Sequence, residues 1–217
     1  MGGHSLGEFA SRLAIRSLMD LPTAGTLEQR ASAAETRLLE ANRRLRTEAA
    51  RRDVPVIGTT IAALLVAENR FACVWAGDSR VYLYRAGRLK QLTRDHSQLE
   101  AVRSLHVGSS DDTLDRPPAN VITRALGGDD RLELDAVAAD VADGDVFLLC
   151  SDGLSNEVSE AAIVQALLPG SCRLATEALV DMALERGGRD NITAVVVRAE
   201  DLSSPDRTVL HPVLKAD

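Results

Sequence analysis

The chain has 217 residues, 45% of them hydrophobic, and 25 basic against 32 acidic residues for a formal charge of −7. That apolar share supplies the core of one domain and excludes wholesale disorder, and the acidic balance argues against a broad nucleic-acid-binding face. Three well-separated cysteines, Cys73, Cys150 and Cys172, give no disulfide framework and read as buried free thiols. No charge-free apolar run approaches the ~18 residues of a membrane span. Glu8, Arg12 and Arg16 interrupt any signal-like stretch, so the expectation is a cytoplasmic protein.

Residues 6–19 carry Phe9, Leu13, Ile15 and Leu18 near helical spacing, predicting a short helix before Pro22. A longer helix follows, because Leu27, Ala31, Ala34, Leu38, Ala41, Leu45 and Ala49 recur every three or four residues with Arg and Glu between them. Its Arg-rich remainder reads as a solvated face. Residues 57–67, 71–75, 80–84 and 89–92 then read as successive strands joined by tight turns, which predicts an antiparallel sheet. Residues 95–120 form a polar connection, with a short helix over 98–105. Further strands are expected at 121–126, 132–138 and 146–150, helices at 159–168 and around 175–183, and a last strand at 192–197. Two stacked antiparallel sheets covered by helices account for this order; a single mixed sheet between helical layers accounts for it too. The domain is placed at 1–200, and 201–217 at a tail without periodicity.

Three aspartates sit in matching contexts: Asp78 in AGDSR, Asp152 in SDG and Asp190 in GRDN. Asp78 and Asp152 follow apolar strands and Asp190 precedes one, so antiparallel pairing can bring all three to one rim. Carboxylates gathered in this way repel one another and call for hard divalent cations, Mg²⁺ or Mn²⁺. Each motif alone is also an ordinary turn or cap. His96 is expected to orient its loop together with Asp95, and His106 lies in the polar connection. None of the four histidines belongs to an HExxH or Cys/His pattern, and no GxSxG elbow or GxxxxGK[ST] loop occurs.

Taken in order, MGGH (1–4), GTT (58–60), WAGDSRVYLYRAGRLKQLTRDHS (75–97), NVITRALG (120–127), LLCSDGLSN (148–156) and GGRDNITAVVV (187–197) resemble the PPM (PP2C-like) metal-dependent serine/threonine phosphatases. The resemblance implies an α+β fold of two stacked antiparallel sheets flanked by helices. It further implies hydrolysis of phosphoserine and phosphothreonine in proteins by water activated between two Mg²⁺ or Mn²⁺ ions. Asp152 matches a ligand of the metal pair and Asp190 a ligand of one catalytic ion. Asp78, with Asp152, matches the support of a weaker third ion. Asn191 matches a loop brace, and His4 matches a residue that assists leaving-group protonation or orders the first-motif loop.

Implied partners are phosphorylated Ser/Thr proteins, including a Ser/Thr kinase or its substrates; a noncatalytic interaction module and a hydrolase of another phosphoester are the other readings. Family members read DGMGGH where this chain opens MGGH. The expectation is therefore a domain incomplete at its N-terminus, lacking the first-motif aspartate, a phosphate-gripping arginine and an apolar strand, and so leaving sheet edges exposed.

Overall fold

A computed structural model describes residues 4–105 and 121–201. Its first layer is a helical pair, α1 (His4–Met19) and α2 (Leu27–Arg51). Thr26 starts α2 with a capping box: its Oγ1 accepts from the Gln29 amide at 3.3 Å, and its own amide donates to Gln29 Oε1 at 3.0 Å. Leu27, Ala34, Leu38, Ala41, Leu45 and Ala49 are buried, as their spacing requires. Asn42 lies in the same stripe and is fully buried. It donates through Nδ2 to Asp129 O at 2.9 Å and accepts through Oδ1 from the Gly127 amide at 2.6 Å, which anchors the Gly127-Gly128 loop to the helix.

The Arg-rich remainder of α2 is occupied by local pairs. Arg43 meets Glu40, Arg51 and Arg52 meet Glu48, and Arg46 meets Asp130. The solvated face expected from the sequence is thus laced with ion pairs, which the sequence alone did not specify.

Two antiparallel sheets form the middle layers. One has the order β1-β2-β5, with β1 (Ile61–Ala67), β2 (Arg70–Ala76) and β5 (Asp135–Asp140); the other has the order β4-β3-β6-β7, with β3 (Arg80–Arg85), β4 (Arg88–Gln91), β6 (Val146–Cys150) and β7 (Ala194–Arg198). Strand alternation decides what each face buries. Phe71 and Cys73 of β2 meet Val81 and Leu83 of β3 and Phe147 of β6 between the sheets, and the Phe71 and Phe147 rings cross edge to face at 4.9 Å. Val74 and Ala76 turn outward onto α1 and α2. On the far side Tyr82, Val146, Leu148 and Cys150 pack on α4 (Asp152–Ser155), α5 (Glu160–Leu167) and α6 (Cys172–Glu185). The result is an α-β-β-α sandwich of stacked sheets; the single mixed sheet is not what forms.

Four expectations need correction. The strands at 61–91 do not make one sheet, because the chain leaves the first sheet after Ala76 and enters the second at Arg80. Residues 121–126 form only two isolated bridges, Ser97 to Ile122 and Thr59 to Leu126, since their backbone bonds are divided between two separate segments. The strand expected at 132–138 starts at Asp135, because its partner β2 ends one residue beyond the Trp75–Asp135 pair. The strand expected from 57 starts at Ile61, with Ile57 instead buried beneath α2. The hairpin turn at Ala86-Gly87 forms with φ of 49° and 79°, the signs of a type I′ turn. Helix α3 (Gln98–Leu105) forms as expected; the rest of the polar connection, with His106, and the tail from 202 onward lie outside the described residues.

Strands β1 and β7 are the outermost strands of their sheets. Between them runs an apolar groove of about 560 Å³, lined by residues of β1, by Val195 and Val197, and by Ile15, Leu18 and Met19 of α1.

Candidate active site

Strand register brings one end of each sheet together. Ile61 pairs with Ala76, Arg80 with Cys150, and Cys150 with Ala194, so the start of β1, end of β2, start of β3, end of β6 and start of β7 share one edge of the sandwich. The loops leaving this edge carry the aspartates. Asp78 lies in the corner where the chain changes sheets. Gly77 takes φ 116° there, and a side chain on it would run into Thr60. Thr60 Oγ1 and Ser79 Oγ, 2.9 Å apart, join the two sheets across the corner. Asp152 opens α4 two residues after β6. Asp190 lies in the loop before β7, its Oδ1 accepting from the Asn191 amide at 2.7 Å.

All three aspartates line one cavity of about 1030 Å³, with Glu8 and Ser11 of α1, Thr59, Thr60, Ser151, Asn191 and Thr193. Asp78 meets this rim from the start of β3 as well as the end of β2, a consequence of the change of sheets. The lining residues named carry four carboxylates and no cation. Burial, and next the charge of Asp152, push the Asp78 carboxyl up to about 6. Burial, and next the charge of Asp190, raise the Asp152 carboxyl. The three groups are thus coupled in series, with Asp152 in the middle.

Such a set fits a hard cation, which removes the repulsion while accepting oxygen ligands. Among the described residues no three His, Cys, Asp or Glu side chains sit close enough to hold one ion by themselves. A cation here would therefore complete its shell with water or main-chain oxygen, as Mg²⁺ does by preference. His4 is the first residue of α1; its side chain lies outside the described residues.

Behind the Asp78 corner sits His96, 7% exposed. Its Nδ1 accepts from the Gly77 amide at 3.1 Å and its own amide donates to Gly77 O at 2.9 Å. With Nδ1 accepting, Nε2 carries the proton and donates to Asp135 Oδ2 at 3.1 Å. Asp135 also takes Arg124 Nη1 at 3.0 Å. Burial pushes the Asp135 carboxyl up, but His96 and Arg124 outweigh it and hold it below its ordinary value. The expected association of His96 with Asp95 is therefore sequential only, since Asp95 accepts instead from Arg80 Nε at 3.0 Å and Nη2 at 2.6 Å. Asn191 braces its loop through its backbone: its carbonyl accepts from Ser151 Oγ at 2.9 Å.

Sequence reasoning passed over Glu8, Ser11, Ser151 and Asp135. Ser151 could have been singled out, because it stands at a cap position directly before Asp152. Asp135 carries no local signal: only the β2–β5 register brings it under His96. Buried Cys73 and Cys150, each pushed up to about 12 by burial, belong to the core and not to this chemistry.

Residues 1–186 match the family model described as protein phosphatase 2C. The serine/threonine phosphatase stp of Listeria innocua is 33% identical over 204 residues, 91% of this chain and 81% of that protein. Among solved structures, PppA, titled a key regulatory component of T6SS in Pseudomonas aeruginosa, is similar at 40% identity and a TM-score of 0.84, over 91% of this chain and 82% of that one. The catalytic domain of the serine/threonine protein phosphatase PstP in complex with two manganese ions is similar at 34% identity and a TM-score of 0.79, over 93% and 85%. With its blocks in order, its sandwich formed and its acidic loops on one edge, the chain belongs to the protein phosphatase 2C family.

Proposed function

We propose that residues 1–200 form a unit that removes phosphate from phosphoserine and phosphothreonine in proteins, with Asp78, Asp152 and Asp190 holding Mg²⁺ or Mn²⁺. The observation that carries the metal reading is the shared cavity, in which partial burial, and next the charge of Asp152, raise the Asp78 carboxyl, while partial burial, and next the charge of Asp190, raise the Asp152 carboxyl. PstP, a relative with the same fold, binds two manganese ions. Ions of this kind lower the pKa of bound water and neutralise phosphoryl oxygens.

Asp152, coupled to both other aspartates, is the shared ligand in this reading; Asp190 serves a catalytic ion, and Asp78 supports a third, weaker one. His4 is the candidate for protonating the leaving alkoxide or ordering the loop at the start of α1. The four carboxylates by themselves repel a phosphate dianion, a repulsion that bound cations would offset. The partners are phosphorylated Ser/Thr proteins, among them a Ser/Thr kinase or its substrates, and not nucleic acid. The proposed setting is the cytoplasm; no helix among the described residues is long and apolar enough to cross a membrane.

Similarity to several phosphatases over nearly the whole chain favours turnover over a noncatalytic interaction role. Hydrolysis of a phosphothreonine peptide with Mn²⁺ tests this. Asp152→Asn and Asp190→Asn are each expected to cut turnover at least ~100-fold while leaving the fold intact. Hydrolysis that persists in both variants overturns the assignment.

A further inference from the structure

Ser151 stands at the N-cap of α4 with the extended backbone of a capping residue, φ −77° and ψ 166°, yet its side chain caps nothing in that helix. Serine at this position ordinarily accepts from an amide of the first helical turn. Here the hydroxyl turns to the neighbouring loop. Oγ donates to Asn191 O at 2.9 Å and accepts from the Thr193 amide at 3.0 Å, while the Ser151 amide donates to Thr193 O at 3.1 Å. Both polar capacities of the hydroxyl are thus committed to the segment just after Asp190.

Gly153 completes the approach: a side chain there would lie 2.5 Å from Asn191 O, so the turn carrying Asp152 is seated directly on the loop carrying Asp190.

We infer that Ser151 is a positioning residue whose hydroxyl fixes the spacing between the Asp152 and Asp190 loops. Without it, these two like charges lie on loops tied through the Ser151 amide and the Gly153 contact alone. The inference rests on the proposed metal role of the two aspartates for its consequence, but the clasp itself can be read without metal.

The test compares wild type, Ser151→Ala and Ser151→Thr. Threonine keeps the hydroxyl at a position that lines the cavity. In metal-free protein, amide exchange at Thr193 is expected to speed up about fivefold in Ser151→Ala and to return to the wild-type rate in Ser151→Thr. Calorimetric titration with Mn²⁺ is expected to show about tenfold weaker binding in Ser151→Ala, with recovery in Ser151→Thr. Unchanged Thr193 exchange in a folded Ser151→Ala protein overturns the inference, as does equal impairment of both variants. Wild-type protein that takes up no Mn²⁺ while Thr193 exchange still follows the hydroxyl would refute the metal reading and leave the clasp standing.

Discussion

His96 and Asp135 show how single residues hold the acidic corner in place. The imidazole accepts from the Gly77 amide on one side and donates to Asp135 on the other, so a strand of one sheet steadies the turn that leads into the other. Because the Asp135 carboxyl titrates below its ordinary value of 3.8, its stabilising contribution is complete above that value and is lost as pH falls through the lowered one. Asp135→Asn is therefore expected to lower stability by about 1 kcal/mol at pH 7, a modest figure because the carboxylate is half exposed and screened. The difference from wild type should shrink progressively in urea titrations as pH falls below 3.8. A difference that stays constant from pH 7 through the whole acid range would mean that packing, and not charge, is at stake. The aspartates at 78, 152 and 190 were legible from sequence because each lies beside glycine or asparagine in a strand-flanking turn. Asp135 was not, since a strand residue that reaches a site through register leaves no trace in its neighbours.

At the scale of elements, the site depends on close backbone approach as much as on side chains. Gly153 shows no strained φ, so its requirement is purely one of space against Asn191 O. Gly153→Ala is expected to displace the Asp190 loop, at a cost of about 1–3 kcal/mol in thermal denaturation, and to weaken Mn²⁺ binding with it. A variant that melts like wild type and binds Mn²⁺ equally well would show that the two loops are not seated on each other. Helix periodicity gave α2 and its buried stripe almost residue for residue, and the Ala86-Gly87 turn was equally plain. The change of sheets at Gly77 was hidden, because two strands joined by a short polar turn look alike whether they pair or part. Residues 121–126 look like a strand by composition, yet their backbone bonds go to two different segments.

For the whole molecule, two sheets stacked with one common edge give a scaffold on which loops from β2, β6 and the approach to β7 converge. An apolar groove runs between β1 and β7, where Ile15, Met19, Val195 and Val197 remain accessible. The acidic edge is a separate feature, and its repulsion is the property that a divalent cation relieves. Electron paramagnetic resonance of Mn²⁺ titrated into the purified chain reads this directly. The expected result is saturable loss of the free-ion signal in wild type and its near-complete retention in a folded Asp152→Asn variant. Wild-type protein that leaves the free-ion signal unchanged, or Asp152→Asn protein that depletes it as wild type does, would contradict the role assigned to these carboxylates.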